Sequence, residues 1–126
     1  VSGAPAARLR MCRPETIAGR KLHALMRMGV QHWRPKDLND LRLLLGRVPM
    51  DPDALVGAIT TSFTSRGDTT TAARTLFRRR WWSLKTASAR WQDFVAGDGG
   101  LEAPGSLAPV VAEVAERLEP ILDRLP

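Results

Sequence analysis

Apolar side chains recur at intervals of three and four residues along most of the chain, and this spacing indicates amphipathic α-helices. A first helix is predicted from Pro14 to about Met28, because proline suits the first turn of a helix and Gly29 is a common terminator. A second helix is predicted from Pro35 to about Gly46. The chain therefore begins its helical part with two neighbouring helices joined by a short turn.

The rest of the chain continues in the same pattern. The Asp-Pro-Asp sequence at 51–53 predicts the start of a third helix, and residues 67–71 predict a loop. A fourth helix is centred near Trp91, although its start near residues 78–80 is undefined, and Ser106 is expected to cap the last helix. The apolar positions of these last two helices are Leu84, Trp91, Phe94 and Val95, then Leu107, Val111, Val114, Leu118, Ile121 and Leu125. Residues 14–126 are therefore predicted to form an all-α bundle of about five helices.

Residues 1–13 lack the helical period and are interpreted as a short extended lead-in. Residues 8–13 read Arg-Leu-Arg-Met-Cys-Arg, an alternation that predicts a short strand. A strand needs partners in a sheet, and the chain offers no second convincing strand pattern. We therefore expect this orphan strand to be the remnant of a sheet that lies upstream.

Composition limits the class of protein. The chain has 126 residues and a mass of 13.9 kDa, with 44% apolar and 25% charged residues, which are values of one globular domain. No apolar run approaches the ~20 residues that cross a bilayer, and no leader pattern is visible, so a cytoplasmic protein is expected. The single cysteine, Cys12, excludes an internal disulfide and a cysteine-rich metal site.

The charge is basic and unevenly distributed. The net charge is +6 and the isoelectric point is near 11.0, and residues 1–50 carry ten basic and three acidic side chains. This excess favours an anionic partner such as a nucleotide or a nucleic acid. Because sixteen of the nineteen cations are arginine, a usage that GC-rich coding alone can produce, composition leaves the two explanations open.

Lys21 occupies an unexpected place in the pattern of the first helix. On a helical wheel it falls within the apolar arc, whereas Arg20, His23 and Arg27 fall on the opposite side, where solvent is expected. A buried ammonium without a partner is costly. Either the lysine stem packs and its charge reaches the edge of the helix, or an anion lies nearby.

The first turn of the second helix supplies such an anion. Asp37 borders the apolar stripe of this helix, and Asp40 lies at its outer margin. Free backbone N–H groups and the adjacent Lys36 make this helix start suitable for a phosphate. A structural ion pair between Lys21 and Asp37 is the alternative, and periodicity does not separate the two.

These residues stand in a recognisable order. PETIAGRKLHAL at 14–25 and WRPKDLNDLRLLL at 33–45 resemble the third and fourth conserved motifs of the nucleotidyltransferase toxins of abortive-infection and toxin–antitoxin systems (AbiEii/AbiGii). The stretch around Trp91, Gln92 and Phe94 and the closing helix are similar to the end of that family. The resemblance implies that the chain is the C-terminal helical portion of an α/β nucleotidyltransferase.

The resemblance also implies roles. Lys21 would contact the triphosphate of a nucleoside triphosphate, and Lys36 would assist it. Asp37 would hold Lys21 in place or help to deprotonate the acceptor hydroxyl, and Asp40 would brace the helix or share that work. Such an arrangement of cations and carboxylates suits in-line phosphoryl chemistry.

Two motifs of the family are not found. Its Gly-Ser turn and Asp-x-Asp pair, which hold Mg²⁺ against the triphosphate, have no counterpart in this sequence, so the metal ligands are expected upstream and the chain alone is expected to be inactive or nearly so. His23 and His32 lack partners at metal-ligand spacing, so no metal site is expected within the chain. Many relatives carry glutamate immediately before the motif lysine, where this chain has Arg20.

Other features suggest partners. Arg78, Arg79 and Arg80 precede two tryptophans, which could bind RNA, and some relatives modify tRNA; the alternative is a solvated segment whose tryptophans enter the core. The acidic face of the last helix either closes the bundle or contacts an antitoxin protein. The competing overall interpretation is a non-catalytic helical module that binds RNA or such a partner.

Overall fold

The computed structural model describes residues 13–97 and 102–126, and the regular structure in these ranges is entirely helical. The all-α class is therefore confirmed. Six α-helices are α1 (Pro14–His32), α2 (Pro35–Arg47), α3 (Pro52–Thr64), α4 (Thr70–Thr75), α5 (Lys85–Ala96) and α6 (Leu107–Leu122), with 3₁₀ turns at Leu76–Arg78 and Arg80–Ser83. The strand was expected at residues 8–13, and only residue 13 of it is among the described residues. Cys12 also lies outside them.

Proline begins the first three helices, as the sequence predicts. Pro14, Pro35 and Pro52 each occupy the first turn, where the missing N–H costs no hydrogen bond. Gly29 has a φ of 69° and breaks α1, after which one further turn reaches His32. The predicted end of α1 at Gly29 is thus a kink rather than the last residue of the helix.

The core lies between α1, α2, α3 and α6. Trp33, Phe63 and Trp91 are fully buried in it together with leucines of α1 and α2. Gly19 allows α1 to approach α3 closely, because a Cβ atom at this position would lie 2.8 Å from the carbonyl oxygen of Ala58. This close crossing fixes α1 against α3 while α2 packs on another side of α1.

The region between α3 and α5 differs from the expectation. Residues 70–75, placed partly in the predicted loop 67–71, form the short helix α4, since the Thr69 hydroxyl accepts a hydrogen bond from the Ala72 N–H. Arg78 ends the first 3₁₀ turn, Arg79 is extended, and Arg80 begins the second turn, so that α5 begins only at Lys85. Leu84, predicted to be a core residue of the fourth helix, precedes α5 and is 51% exposed.

The last helix closes the bundle. Ser106 stands at the position before α6 as predicted, but its side chain makes no capping hydrogen bond. Val114, Leu118 and Ile121 are buried, and Leu125 is buried although it follows the end of the helix. Within the ranges that the structure describes, no helix combines the length and the apolar character needed to cross a bilayer.

Candidate functional site

Lys21 lies between two carboxylates where α1 meets α2. Its Nζ donates to Asp37 Oδ1 at 3.1 Å and to Asp40 Oδ2 at 3.0 Å. The side chain of Lys21 is 26% exposed, so its stem packs while the ammonium stays near the surface. The expectation that an anion of the second helix meets this ammonium is confirmed.

The local fold explains how the three groups meet. Pro35 begins α2, and this places Asp37 in the first turn, with Asp40 three residues later on the same side of the helix. Leu38 and Leu41 are fully buried and hold this side of α2 against the core. Asp37 is therefore buried at the helix start, and Asp40 is half-buried next to it.

Lys36 joins the same group from the solvent side. Its Nζ donates to Asp40 Oδ2 at 2.7 Å across one turn of α2, and its side chain is exposed. All four candidate residues of the hairpin, Lys21, Lys36, Asp37 and Asp40, thus form one connected cluster. We refer to them as the hairpin cluster.

The electrostatics of the hairpin cluster favour the charged forms of Lys21 and Asp40. Burial opposes the charged form of Lys21, but hydrogen bonds to Asp40 and Asp37 outweigh this cost and raise the pKa of Lys21 above its ordinary value of 10.5. Burial likewise opposes ionisation of Asp40, yet hydrogen bonds from Lys36 and Lys21 outweigh it and lower the pKa of Asp40 below 3.8. At neutral pH Lys21 and Asp40 therefore carry opposite charges.

An open depression of about 420 Å³ adjoins the cluster. Lys21 and Asp40 form its polar side together with Arg47, and its apolar lining residues are Ile17, Leu43, Leu44 and Val48. An ammonium has three N–H donors, and the two carboxylates use two of those of Lys21. One donor remains for an anion that enters this depression.

The cluster does not suit a divalent metal ion. Mg²⁺ is bound by carboxylate oxygens and water, whereas Asp37 Oδ1 and Asp40 Oδ2 here accept hydrogen bonds from ammonium groups. Over residues 13–97 and 102–126, no group of three or more metal-ligating side chains comes together. The residues present therefore do not fit the magnesium that the resemblance implies.

The structure places the other candidate residues elsewhere. Arg78, Arg79 and Arg80 are exposed, and Arg78 lines a depression of about 380 Å³ next to acidic residues of α6. Trp82 is buried and Trp81 stacks on it with ring centroids 4.0 Å apart. The tryptophans thus enter the core, as the alternative interpretation of this segment expects.

His23 corrects one expectation. It was predicted to face solvent, but it is buried, and its Nε2 lies 2.7 Å from Asp68 Oδ2. Its ring also packs edge-on against Phe63. The reason is that α3 and the loop after it cover this side of α1, and a pattern local to α1 carries no information about a partner 45 residues away.

The fold and the site together define an all-α bundle with a lysine held by two carboxylates at a helix hairpin. The family model of the nucleotidyl transferase AbiEii toxins of type IV toxin–antitoxin systems matches residues 1–120. The chain therefore belongs to this family of toxin-type nucleotidyltransferases. No curated protein and no solved structure gives a significant match.

Proposed function

We propose that the hairpin cluster positions the triphosphate of a nucleoside triphosphate while a nucleotide is transferred to an acceptor. The observation that carries the proposal is the placement of Lys21, whose charged ammonium is held between Asp37 and Asp40 with one donor left over. A purely structural pair needs one carboxylate, whereas this arrangement fixes a cation at the edge of an open depression. Family membership supports the same chemistry.

The proposed step is an in-line displacement. The acceptor hydroxyl oxygen forms a bond to the α-phosphorus, the bond between that phosphorus and the bridging oxygen to the β-phosphate breaks, and pyrophosphate leaves. Lys21, assisted by Lys36, stabilises the negative charge on the phosphate oxygens. The hydroxyl proton passes to Asp37, which accepts from one ammonium, while Asp40 accepts from both lysines and braces them.

The metal and the acceptor complete the proposal. The described residues offer no ligand set for Mg²⁺, which would neutralise charge on the phosphates if carboxylates elsewhere in the protein held it. We propose an RNA acceptor, tRNA among the candidates, because the first half of the chain is strongly basic. A cytoplasmic location, where both reactants are found, belongs to this proposal.

A transfer assay tests this function. The gene product in its natural full extent is incubated with triphosphate labelled at the α-phosphate, and label in RNA is measured for the wild type and for Lys21→Met. Loss of the positioned cation is expected to lower transfer by about 100-fold or more. The control is Arg124→Met, which removes the ion pair to Asp53 far along the chain and should leave transfer nearly unchanged. The proposal would be contradicted if the Lys21→Met variant transferred label at the wild-type rate.

A non-catalytic module is the second candidate function. The acidic side chains of α6 are exposed or half-buried and offer a surface to a basic antitoxin protein: Glu113, Glu116, Glu119 and Asp123. In that case partner binding should depend on these acids, and Lys21→Met should leave the partner's affinity unchanged. The transfer assay and a binding assay on the same variants separate the two functions.

A further inference from the structure

Arginines recur at intervals of seven along α1 and its two ends. Arg13 precedes the helix, Arg20 and Arg27 lie within it, and Arg34 follows it. Seven residues span two turns, so Arg13, Arg20 and Arg27 share one side of the helix at steps of about 10 Å. Arg34 follows the break at Gly29 and lines the same depression as Arg20 and Arg27. All four are exposed. A fifth, Arg66, comes from the turn that follows α3 and lines the same depressions.

These five arginines line one continuous groove. A depression of about 440 Å³ between α1 and α3 is lined by Arg13, Arg20 and Arg66, and a neighbouring depression of about 280 Å³ is lined by Arg20, Arg27, Arg34 and Arg66. Because Arg20 and Arg66 belong to both, the two depressions form a single surface along α1. We refer to it as the arginine groove.

The charge of the arginine groove is poorly neutralised by its surroundings. In the part of the chain that the structure describes, Arg20, Arg27 and Arg34 make no ion pair. The lining acid, Glu15, is buried, and it accepts a hydrogen bond from the Asp51 N–H at 3.0 Å. Arg13 pairs with Glu15 at 3.6 Å, and Arg66 donates to the Ser62 carbonyl oxygen at 3.1 Å. The guanidinium groups of Arg20, Arg27 and Arg34 are therefore the ones most available to an external anion.

The lining favours a polynucleotide over a protein partner. Between the arginines the first depression is lined by hydroxyl side chains and small residues, with no large apolar side chain among its described lining residues; the hydroxyls are Thr16, Thr61, Ser62 and Ser65. Stable protein interfaces have an apolar core, whereas backbone recognition in nucleic acids uses guanidinium and hydroxyl donors. This part of the arginine groove thus matches a chain of phosphates, and the second depression adds one exposed apolar side chain, Met28.

We propose that the arginine groove binds the phosphodiester backbone of a polynucleotide. Guanidinium groups bind phosphate with two parallel hydrogen bonds, and a row of them at regular intervals can follow a phosphate chain. The inference concerns binding and does not depend on the transfer reaction, since Arg20 and Lys21 point to flanks of α1 about 100° apart. A polynucleotide in the groove runs along α1 beside the hairpin cluster.

This surface replaces the segment Arg78–Arg80 as the main candidate for nucleic-acid binding. Three acidic side chains line the depression beside Arg78 and repel phosphate. Glu116 and Glu119 belong to α6, and Asp123 directly follows it. The arginine groove has five cations and one acid, the buried Glu15, which pairs with Arg13. The arginine groove therefore has the larger excess of positive charge and is the better site for phosphate.

Two variants of equal net charge test the proposal. The groove variant carries Arg20→Gln, Arg27→Gln and Arg34→Gln, and the control carries Arg78→Gln, Arg79→Gln and Arg80→Gln. Each loses three positive charges from exposed positions. Binding to fluorescein-labelled single-stranded RNA and DNA of one 20-nucleotide sequence is measured by anisotropy over a salt series, without nucleotide or metal. Circular dichroism confirms that both variants are folded.

The groove variant is expected to bind at least about 10-fold more weakly than the control at 0.1 M salt. The slope of log K against log salt concentration is negative, and its magnitude should be smaller by about 2 in the groove variant, because three phosphate contacts are lost. The two probes identify the source of the backbone, since preference for RNA indicates contacts to the 2′-hydroxyl.

Two results would overturn the proposal. The first is equal weakening in both variants, which means that net charge alone governs binding. The second is that poly-glutamate, added at the same concentration of negative charges as the RNA, displaces the RNA. This result would assign the groove to an acidic protein instead. Failure of the transfer assay leaves this binding measurement unaffected, so the two proposals fail separately.

Discussion

The ammonium of Lys21 lies 3.1 Å from the Asp37 carboxylate and joins two helices whose contacting residues are 16 positions apart in sequence. Asp37 is buried, whereas Lys21 is partly exposed. The pair therefore combines an interior anion with a cation that still reaches solvent. This asymmetry determines what its removal does to stability.

Replacing Lys21 by methionine should destabilise the fold. The change leaves Asp37 buried without its cation, and we expect the free energy of unfolding to fall by about 1–3 kcal/mol. In a double-mutant cycle with Asp37→Leu, the coupling energy should be about 1–2 kcal/mol, measured by urea denaturation. Lys85→Met, at an exposed position, should change stability by less than about 0.5 kcal/mol. Zero coupling would show that the pair is not formed.

Acid should weaken the fold through two carboxylates. The backbone N–H groups of Asp51 and of Glu15 itself lower the pKa of Glu15 below 4.5, against the effect of burial, and the hairpin lysines lower that of Asp40. The stability that these carboxylates contribute is present above their ordinary pKa values and is lost as the pH falls through the lowered ones. Thermal unfolding of Glu15→Gln should respond less to acid than that of the wild type. An unchanged response would exclude this role of Glu15.

The stability of the fold at alkaline pH should depend on the charge of Lys21. Because the pKa of Lys21 is raised above 10.5, its contribution is fully present below that pH and is lost as the pH rises through the higher, folded-state value. Melting temperatures between pH 9 and pH 11.5 should fall more steeply for the wild type than for Lys21→Met. If the melting temperatures of the two proteins fell in parallel with pH, the charge of Lys21 would contribute nothing to stability through its carboxylates.

The crossing of α1 and α3 should be sensitive to a single methyl group. In Gly19→Ala the added Cβ would meet the Ala58 carbonyl oxygen at 2.8 Å and the Ser62 hydroxyl at 2.9 Å, so we expect a loss of about 1–3 kcal/mol. Gly57→Ala is the matched control, since nothing lies within 4 Å of its Cβ position, and it should stabilise α3 by about 0.5–1 kcal/mol. Equal effects of the two changes would argue against close packing at Gly19.

The sequence predicts those parts of the fold that depend on local chemistry. Proline in the first turn is a property of the chain itself, so the starts of α1, α2 and α3 follow from Pro14, Pro35 and Pro52. The inward position of Lys21 also follows from the wheel, because a helix repeats its faces at a fixed angle. The pairing of Lys21 with a carboxylate is expected for the same reason.

Features that depend on distant residues are not predicted. The burial of His23 requires Asp68 and Phe63, which only the tertiary fold brings to α1. The exposure of Leu84 follows from the 3₁₀ turns that delay the start of α5, and these turns have no clear signal in the apolar pattern. The arginine groove likewise needs Arg66 from the turn after α3, although the spacing of seven along α1 is visible in the sequence.

Nuclear magnetic resonance of the lysine side chains tests the central claim most directly, because the chain has three lysines, Lys21, Lys36 and Lys85. The ¹³Cε resonances are followed while a nucleoside triphosphate with Mg²⁺ is added to the gene product in its natural full extent. We expect the resonances of Lys21 and Lys36 to shift together with one saturation curve, while that of the exposed Lys85 stays in place. A saturable response that leaves the Lys21 resonance unmoved would contradict the assignment of this ammonium to the triphosphate.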